Sequence, residues 1–403
     1  HCGIYHELEL EHFIFHFNLN YEIIRTKRKG SPWTHPHEWL KRTIGNDWVY
    51  YSTGGYTGVF EATGEYYLPN FKYSTNSVLG GHPFQLKEVH SLAENWHTIL
   101  TTFREESFFS DTCCSAWNGA PPSLADSIKD IISRDPSYLA QKAQTLFDII
   151  GGRISVLPPD ARHVDYNLVP LTISTGCLYK CAFCKVKNRN PFVELGRWEI
   201  DRQLDQLRQL YDRDMVNYNS LYLGEHDALQ ASPKSILYAV EEAIIKLGLT
   251  QSNISGNNTF FFGSVASLLG TDTAFFQNLN KLPGNSFINI GLESADQDTL
   301  DQIGKPIIAK DVKDAFHRMQ EINERFDSIE LTANFLMDKS LPPGHYPSTL
   351  GLIRDSQPRK KPKGTIYFSP LTFDQPSRSR LFEFNRLKIA SRLPTFLYII
   401  QRL

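Results

Sequence analysis

A chain of 403 residues, 41% hydrophobic and 21% charged, has the make-up of a soluble globular protein with room for two or three domains, which excludes an intrinsically disordered chain. Its formal net charge of −2 and pI near 6.7 give no global attraction to nucleic acid or to an anionic membrane. There is no apolar run of the roughly 18 residues a membrane span needs, and six cysteines in this length are too few and too clustered for a secreted disulfide framework, so a reducing, cytoplasmic setting is expected.

Residues 1–160 are rich in aromatic residues and histidines and are expected to form an accessory domain of mixed α+β character. His35 and His37 could place both rings on one side of an extended segment, but no cysteine lies nearby to complete a metal site, so structural histidines are the expectation. Over residues 48–68, aromatic runs alternate with Gly54, Gly55, Gly58 and Gly64, which is how hairpins of a small sheet are written. These glycines lack the Gly-Lys-Ser/Thr ending of a phosphate-binding loop. Cys113 and Cys114 are adjacent, and adjacent residues rarely converge on one metal. Helices are expected over 124–132 and 138–150, the second stopped by Gly151 and Gly152, and Leu157-Pro158-Pro159-Asp160 reads as a linker.

From residue 161 to about 375 the chain alternates strand and helix. Apolar strands are expected over 169–175, 220–224, 259–263, 287–292, 329–337 and 365–369. Between them Ile200, Leu204, Leu207 and Tyr211 share a helical face, as do Ile236, Val240, Ala243, Ile244 and Leu247, and later Val312, Phe316, Met319 and Ile322. Six strands with interposed helices predict an α/β fold: a partial (βα)6 TIM-like barrel of parallel strands, with reactive groups on the loops after the strands' carboxyl ends. Residues 376–403 are expected to be a C-terminal helical extension that packs on the barrel or closes its open side.

The loop after the first strand carries Cys177, Cys181 and Cys184 in the spacing C-x3-C-x2-C. Three thiolates on a tight loop can hold an iron-sulfur cubane and leave its fourth iron open to a non-protein ligand, whereas electron-transfer sites usually use four cysteines. The trio could also supply three zinc ligands, but structural zinc sites usually pair C-x2-C units and no second pair exists here. After the second strand stand Gly224, Glu225 and His226, and the fourth strand ends in Glu293. A glutamate at such a mouth is costly to bury unless it meets a cation or donors.

At these residues the sequence resembles the radical S-adenosylmethionine (SAM) superfamily. Cys177, Cys181, Phe183 and Cys184 match its C-x3-C-x-aromatic-C hallmark. Gly224-Glu225 looks like its glycine-glycine-glutamate motif, with Leu223 in place of the first glycine. The run Gly291-Leu292-Glu293-Ser294, followed by Asp298, Leu300 and Ile303-Gly304-Lys305, is similar to the fourth-strand segment of the branch that includes oxygen-independent coproporphyrinogen oxidase and Elongator-type enzymes. The resemblance covers about residues 165–370.

It implies that the cysteines bind a [4Fe-4S] cluster whose open iron chelates SAM, and that one electron then cleaves SAM to methionine and a 5'-deoxyadenosyl radical. It also implies that Glu225 holds the SAM ammonium, that Glu293 accepts from the ribose hydroxyls, and that Phe183 and Tyr179 shield the cluster, with Ser264 and Asn334 as further pocket residues. The implied partners are an unknown substrate and a one-electron donor such as flavodoxin or ferredoxin. Nucleic acid is not indicated, and no catalytic side chain is assigned. The reading from a different class is a noncatalytic iron-sulfur or zinc-binding protein.

Overall fold

The computed structural model of the chain describes residues 3–33, 36, 38–52, 65–67, 87–106, 124–154, 156–164, 167–184, 190–224, 226–357, 359–371 and 378–398. Outside the described residues lie His35, His37, Cys2, Cys113, Cys114, Glu225 and the middle of the glycine-rich stretch, residues 53–64.

The expected small sheet extends to the beginning of the chain. Strands β1 (His6–Glu9), β2 (Phe13–Phe17), β3 (Ile23–Arg28), β4 (Glu38–Arg42), β5 (Trp48–Ser52) and β6 (Glu65–Tyr67) pair in chain order, and each pairing is antiparallel. Phe15, Phe17, Ile23, Leu40 and Val49 are buried in it. Among the described residues three helices follow: α1 (Lys87–Glu106), α2 (Leu124–Ser133) and α3 (Pro136–Ile150). In α3, Asp135 accepts from the Tyr138 amide at 2.7 Å. Pro136 opens the first turn, and Gly151, at φ 82°, closes the last. Its buried stripe is Leu139, Ala143, Leu146 and Ile150, the spacing of one helical face.

Seven parallel strands form the second sheet, in the order β15-β14-β13-β12-β11-β10-β7. They are β7 (Leu168–Thr172), β10 (Ser220–Gly224), β11 (Asn258–Gly263), β12 (Asn285–Glu293), β13 (Ile329–Met337), β14 (Ile366–Pro370) and β15 (Thr395–Leu397). A two-residue ribbon, β8 (Ser174–Thr175) with β9 (Val193–Glu194), flanks the cysteine loop. The helices between strands are α4 (Arg197–Tyr211), α5 (Pro233–Leu247), α6 (Val265–Gly270), α7 (Thr273–Leu279), α8 (Gln297–Gln302), α9 (Ala309–Arg325) and α10 (His345–Leu350), with α11 (Arg378–Ala390) before the last strand. The expected α/β architecture is thus present with seven strands instead of six. The tail is a helix followed by a strand, because Phe396 and its neighbours add to the β14 edge in parallel register.

Register places three successive rungs of side chains on the concave face of this sheet. One is Pro170, Tyr222, Phe260, Phe287 and Glu330; the next is Thr172, Gly224, Phe262, Asn289 and Thr332; the third is Gly291, Asn334, Tyr367 and Phe396. The segment expected to be a linker crosses this face. Ile154 packs toward Gly224, and the Val156 carbonyl accepts from the Tyr222 hydroxyl at 3.3 Å. The Leu157 carbonyl accepts from the Tyr398 hydroxyl at 2.5 Å, and His163 stacks on Phe287 at 4.6 Å. Asp160, fully buried, takes the hydroxyls of Thr332 and Tyr367, each at 2.7 Å. Two prolines and an aspartate look like linker chemistry in sequence, but here they form a 3-10 turn (Pro159–His163) that fills the barrel.

The N-terminal sheet docks on the chain just before β10. Asn20 donates to the Tyr211 carbonyl at 2.7 Å, and the Leu19 amide donates to Asp214 at 3.2 Å. Asn217 exchanges two 2.8 Å bonds with the backbone of Ile4, and Glu22 pairs with Lys142 of α3. Burial pushes the Asp214 carboxyl up to about 6, against the bonds from Asn217 and Leu19. A carboxyl raised above its unfolded value stabilises the fold at low pH, and that contribution is lost as pH rises from about 4 through about 6. Asp214→Asn keeps the acceptor oxygen and removes the titration. The variant should gain about 2 kcal/mol on wild type between pH 4.5 and pH 7.5, read from urea unfolding at the two values; an equal pH slope in both proteins would refute this account of the seam.

Candidate active site at the strand ends

The cysteine loop begins where β7 ends. Gly176 sits at φ 80° with the Pro191 carbonyl so close that a Cβ would lie 2.1 Å from its oxygen, so only glycine turns the chain here. Cys177, Cys181 and Cys184 follow as partly exposed thiols outside any disulfide, with the Cys184 amide donating to the Cys181 carbonyl at 3.4 Å. The thiols feel one another and the Lys305 ammonium. Burial raises Cys177 and pushes Cys181 up to about 11, while Lys305 pulls both down. Among the described residues, no three His, Cys, Asp or Glu side chains converge on a single metal ion.

Lys305 is one half of a buried pair. Its Nζ lies 3.0 Å from Glu293 Oε1 and donates to the Gly291 carbonyl at 2.6 Å; the two side chains are only 5% and 12% exposed. Glu293 adopts φ 63° at a bulge where β12 slips against β13, a left-handed conformation that costs a non-glycine residue of order 1 kcal/mol or more. The next residue anchors it: the Ser294 hydroxyl donates to His345 Nδ1 at 2.8 Å, and His345 Nε2 donates to the Leu336 carbonyl at 2.8 Å. At Gly304, φ 64°, a Cβ would meet the Ala182 Cβ at 2.8 Å. The Lys305 turn therefore rests directly on the cysteine loop.

On the other side stands Asp227, buried and 2% exposed. Its Oδ1 accepts from the Ser264 amide at 3.0 Å and from the Ser267 hydroxyl at 2.8 Å, which ties the loop after β10 to the start of α6. Its Oδ2 is buried without a partner, beside Cys177 and Tyr179. Burial raises the Asp227 carboxyl, against these hydrogen bonds and Lys305. The Tyr179 hydroxyl accepts from the Ala266 amide at 3.3 Å.

Of the residues picked from sequence, Phe183 is half-buried against the core, and Gly224 ends β10 on the concave face facing Ile154. Ser264 caps α6 and is buried in that role. Glu293 is held by Lys305, and Asn334 donates to Asn289 at 2.6 Å with its own Oδ1 unpartnered. Glu225 lies outside the described residues. His226, beside it, has an interaction partner. Reading from sequence missed Asp227 and the Lys305–Glu293 pair. Both were visible as letters: Asp227 two places after Glu225, and Lys305 at the end of Ile303-Gly304-Lys305.

No family model matches the chain, and no curated protein matches it. Among solved structures it is similar to the cobalamin-dependent S-adenosylmethionine radical enzyme OxsB, at 18% identity and TM-score 0.34 over 46% of this chain and 26% of that one. It is also similar to a radical SAM methyltransferase from Sphaerobacter thermophilus, at 14% identity and TM-score 0.37 over 57% of this chain and 65% of that one. Methylornithine synthase (PylB) matches at 12% identity and TM-score 0.34 over 64% and 76%. The chain thus spans about a quarter of the OxsB structure's length and just under two thirds of the methyltransferase's. With TM-scores this low, a functional reading has to rest on the residues of the site itself. Among the described residues, no helix is long and apolar enough to cross a membrane.

The buried pair gives a direct stability prediction. Lys305→Met leaves Glu293 buried without its cation and should cost about 3 kcal/mol in urea unfolding. Lys305→Met with Glu293→Leu should recover most of it. A double variant no more stable than the single one would show that the carboxylate is not what the lysine serves.

Proposed function

We propose that the chain is a radical SAM enzyme, with a [4Fe-4S] cluster on Cys177, Cys181 and Cys184 and SAM in the mouth of the barrel. The observation that carries this reading is the C-x3-C-x-aromatic-C loop placed at the carboxyl end of the first parallel strand, with an orphaned carboxylate oxygen and a buried ion pair on its two sides. The donor set fits the cofactors. Three thiols on one short loop can serve three irons, and an unpartnered Asp227 Oδ2 is a ready acceptor for an ammonium group. When bound, cluster and SAM supply one-electron cleavage of a sulfonium and thereby a 5'-deoxyadenosyl radical.

The chain's own part is placement and electrostatics. Lys305, lying between Glu293 and the cysteines, opposes the effect of burial and favours the thiolate form that ligation needs. Glu225 and Asp227 offer carboxylates to the amino group, and Glu293 offers one to the ribose hydroxyls. Gly224 leaves room beside them, while Phe183 and Tyr179 exclude water from the cysteine loop. Ser264 fixes the start of α6, which holds Asp227 in place. A one-electron donor such as flavodoxin or ferredoxin and an unidentified substrate complete the reading, in a cytoplasmic setting.

Anaerobic reconstitution tests it. The wild-type chain should take up about four irons, show a reduced electron paramagnetic signal altered by SAM, and give 5'-deoxyadenosine with dithionite. All three should vanish in Cys177→Ala, Cys181→Ala and Cys184→Ala. A cluster that forms but ignores SAM, or a site that takes up zinc alone, would establish the noncatalytic reading instead. Glu225→Gln and Asp227→Asn should each weaken SAM binding about tenfold, the value of one charge-assisted hydrogen bond, with iron content unchanged. SAM affinity equal to wild type would remove that residue from the site.

A further inference from the structure

Three polar side chains on the concave face join Asp160 to the mouth. The Thr332 hydroxyl donates to Asp160 Oδ2 at 2.7 Å, Asn289 Nδ2 donates to Thr332 Oγ1 at 2.8 Å, and Asn334 Nδ2 donates to Asn289 Oδ1 at 2.6 Å. Thr332 and Asn289 are fully buried. Asn334 is half-buried on the next rung, beside Gly291, whose carbonyl holds Lys305.

The direction of every bond in this chain follows from its buried end. An ionised carboxylate only accepts, so the Thr332 proton must point at Asp160. The hydroxyl oxygen is then left with lone pairs, and Asn289 must offer it NH2, not C=O. That turns the Asn289 carbonyl toward Asn334, which must answer with its own NH2. What remains is the Asn334 carbonyl oxygen, buried and without a partner. Buried polar groups are normally satisfied, so an acceptor held open by a fixed chain is a place kept for a donor. The other Asp160 oxygen accepts from the Tyr367 hydroxyl at 2.7 Å, and that hydroxyl accepts from Arg162 Nε at 2.9 Å, so the carboxylate cannot turn away.

We infer that Asp160 is a positioning residue: through Thr332 and Asn289 it fixes Asn334 to present an acceptor, not a donor, to the ligand in the barrel mouth. The group selected is a hydroxyl or amino donor on that ligand. Taking the ligand as SAM rests on the proposed function; the polarity of the relay does not.

The charged and titratable groups around Asp160 are Arg162 and His163 on its own turn, Glu330 on β13, Tyr367 on β14 and Tyr398 after β15. Burial pushes Asp160 up to about 6, opposed by the bonds from Tyr367 and Thr332 and by Arg162, and reinforced by Glu330. Above that pH the carboxylate enforces the relay. As pH falls through about 6, a protonated Asp160 can donate to Thr332, the chain can reverse, and Asn334 is free to turn its NH2 outward.

The test uses Thr332→Val, which has the same shape without the hydroxyl, and Thr332→Ser, which restores it. In the anaerobically reconstituted full chain, Thr332→Val should weaken SAM binding about tenfold at pH 7.5, the worth of one buried hydrogen bond, with iron content unchanged. Thr332→Ser should stay within about twofold of wild type. Wild type and Thr332→Ser should lose affinity as pH falls from 7.5 to 5.5 in a way that Thr332→Val does not. A second readout needs no cofactor. In the full chain labelled with 15N-asparagine, the Asn334 side-chain amide, identified by its loss in Asn334→Asp, should shift with a midpoint near pH 6 in wild type and stay fixed in Thr332→Val. An Asn334 amide indifferent to pH in wild type overturns the relay, as does SAM affinity equal in wild type and Thr332→Val. If wild type binds no SAM at all, the proposed function fails, and the amide titration alone decides the relay.

Discussion

A parallel sheet of seven strands that does not close on itself must cover its concave face, and here the chain covers it with the segment that precedes the first strand. Four of its strands face inward against something laid down earlier. Tyr222 meets Val156, Phe287 meets His163, and Thr332 and Tyr367 meet Asp160. The outer face is ordinary, with Leu221, Leu223, Phe261, Ile288, Ile290 and Leu331 buried. The inner face is not, because a backbone passing through a barrel brings carbonyls and amides that need partners. This explains why tyrosines, a threonine and asparagines stand at positions a simple barrel would fill with branched apolar residues. Tyr222 and Tyr398 donate to carbonyls of the segment, and Tyr367 and Thr332 donate to its one carboxylate.

The mouth solves a related problem with charge. A glutamate held at a left-handed φ on a bulge is costly in conformation, and a lysine buried beside it is costly in hydration. Each is retained because the other is there, and because the Gly291 carbonyl takes a further Lys305 proton. Gly291 must be glycine for this to fit, since a Cβ would lie 2.7 Å from Glu293 Oε1 and 3.3 Å from Lys305 Nζ. Gly291 shares its rung with Asn334, so the ion pair and the inner polar chain meet at the same level of the sheet. The ion pair beside the cysteine loop and the outer end of the polar chain thus stand at neighbouring positions.

The period of the apolar residues made the strands and helices of the second half legible, because a sheet buried on both faces writes its strands as continuous apolar runs. Leu168–Thr172 and Ser220–Gly224 are buried throughout, and the helix that ends at Ile150 announced its stop in Gly151 and Gly152. The cysteine trio was legible as spacing. The filling segment was not. Leu157-Pro158-Pro159-Asp160 has the composition of a turn, and only tertiary burial separates a turn on the surface from one inside a barrel. Strand β15 was hidden by its length: three residues carry no period, and Thr395–Leu397 join the sheet because the β14 edge is there to pair with. The Lys305–Glu293 pair spans a helix and a turn, a separation at which sequence carries no contact signal. Asp227 was passed over because Glu225, two residues earlier, suited the motif.

The N-terminal sheet acquires a structural reason from the same arrangement. Its sheet bonds to the chain around Tyr211 to Asn217, which leads into the amino end of β10. Helix α3, at 15 residues, is about 22 Å long. It is held to that sheet by the Lys142–Glu22 pair, and its last carbonyl accepts from Thr172 at the carboxyl end of β7 at 2.7 Å. Four residues beyond that carbonyl the chain turns inward at Ile154 and becomes the filling of the barrel. The segment that places Asp160 is therefore anchored on one side by helix α3 and on the other by β7 itself. The turn that offers its carboxylate to Thr332 and Tyr367 thus follows a helix that is paired with the N-terminal sheet.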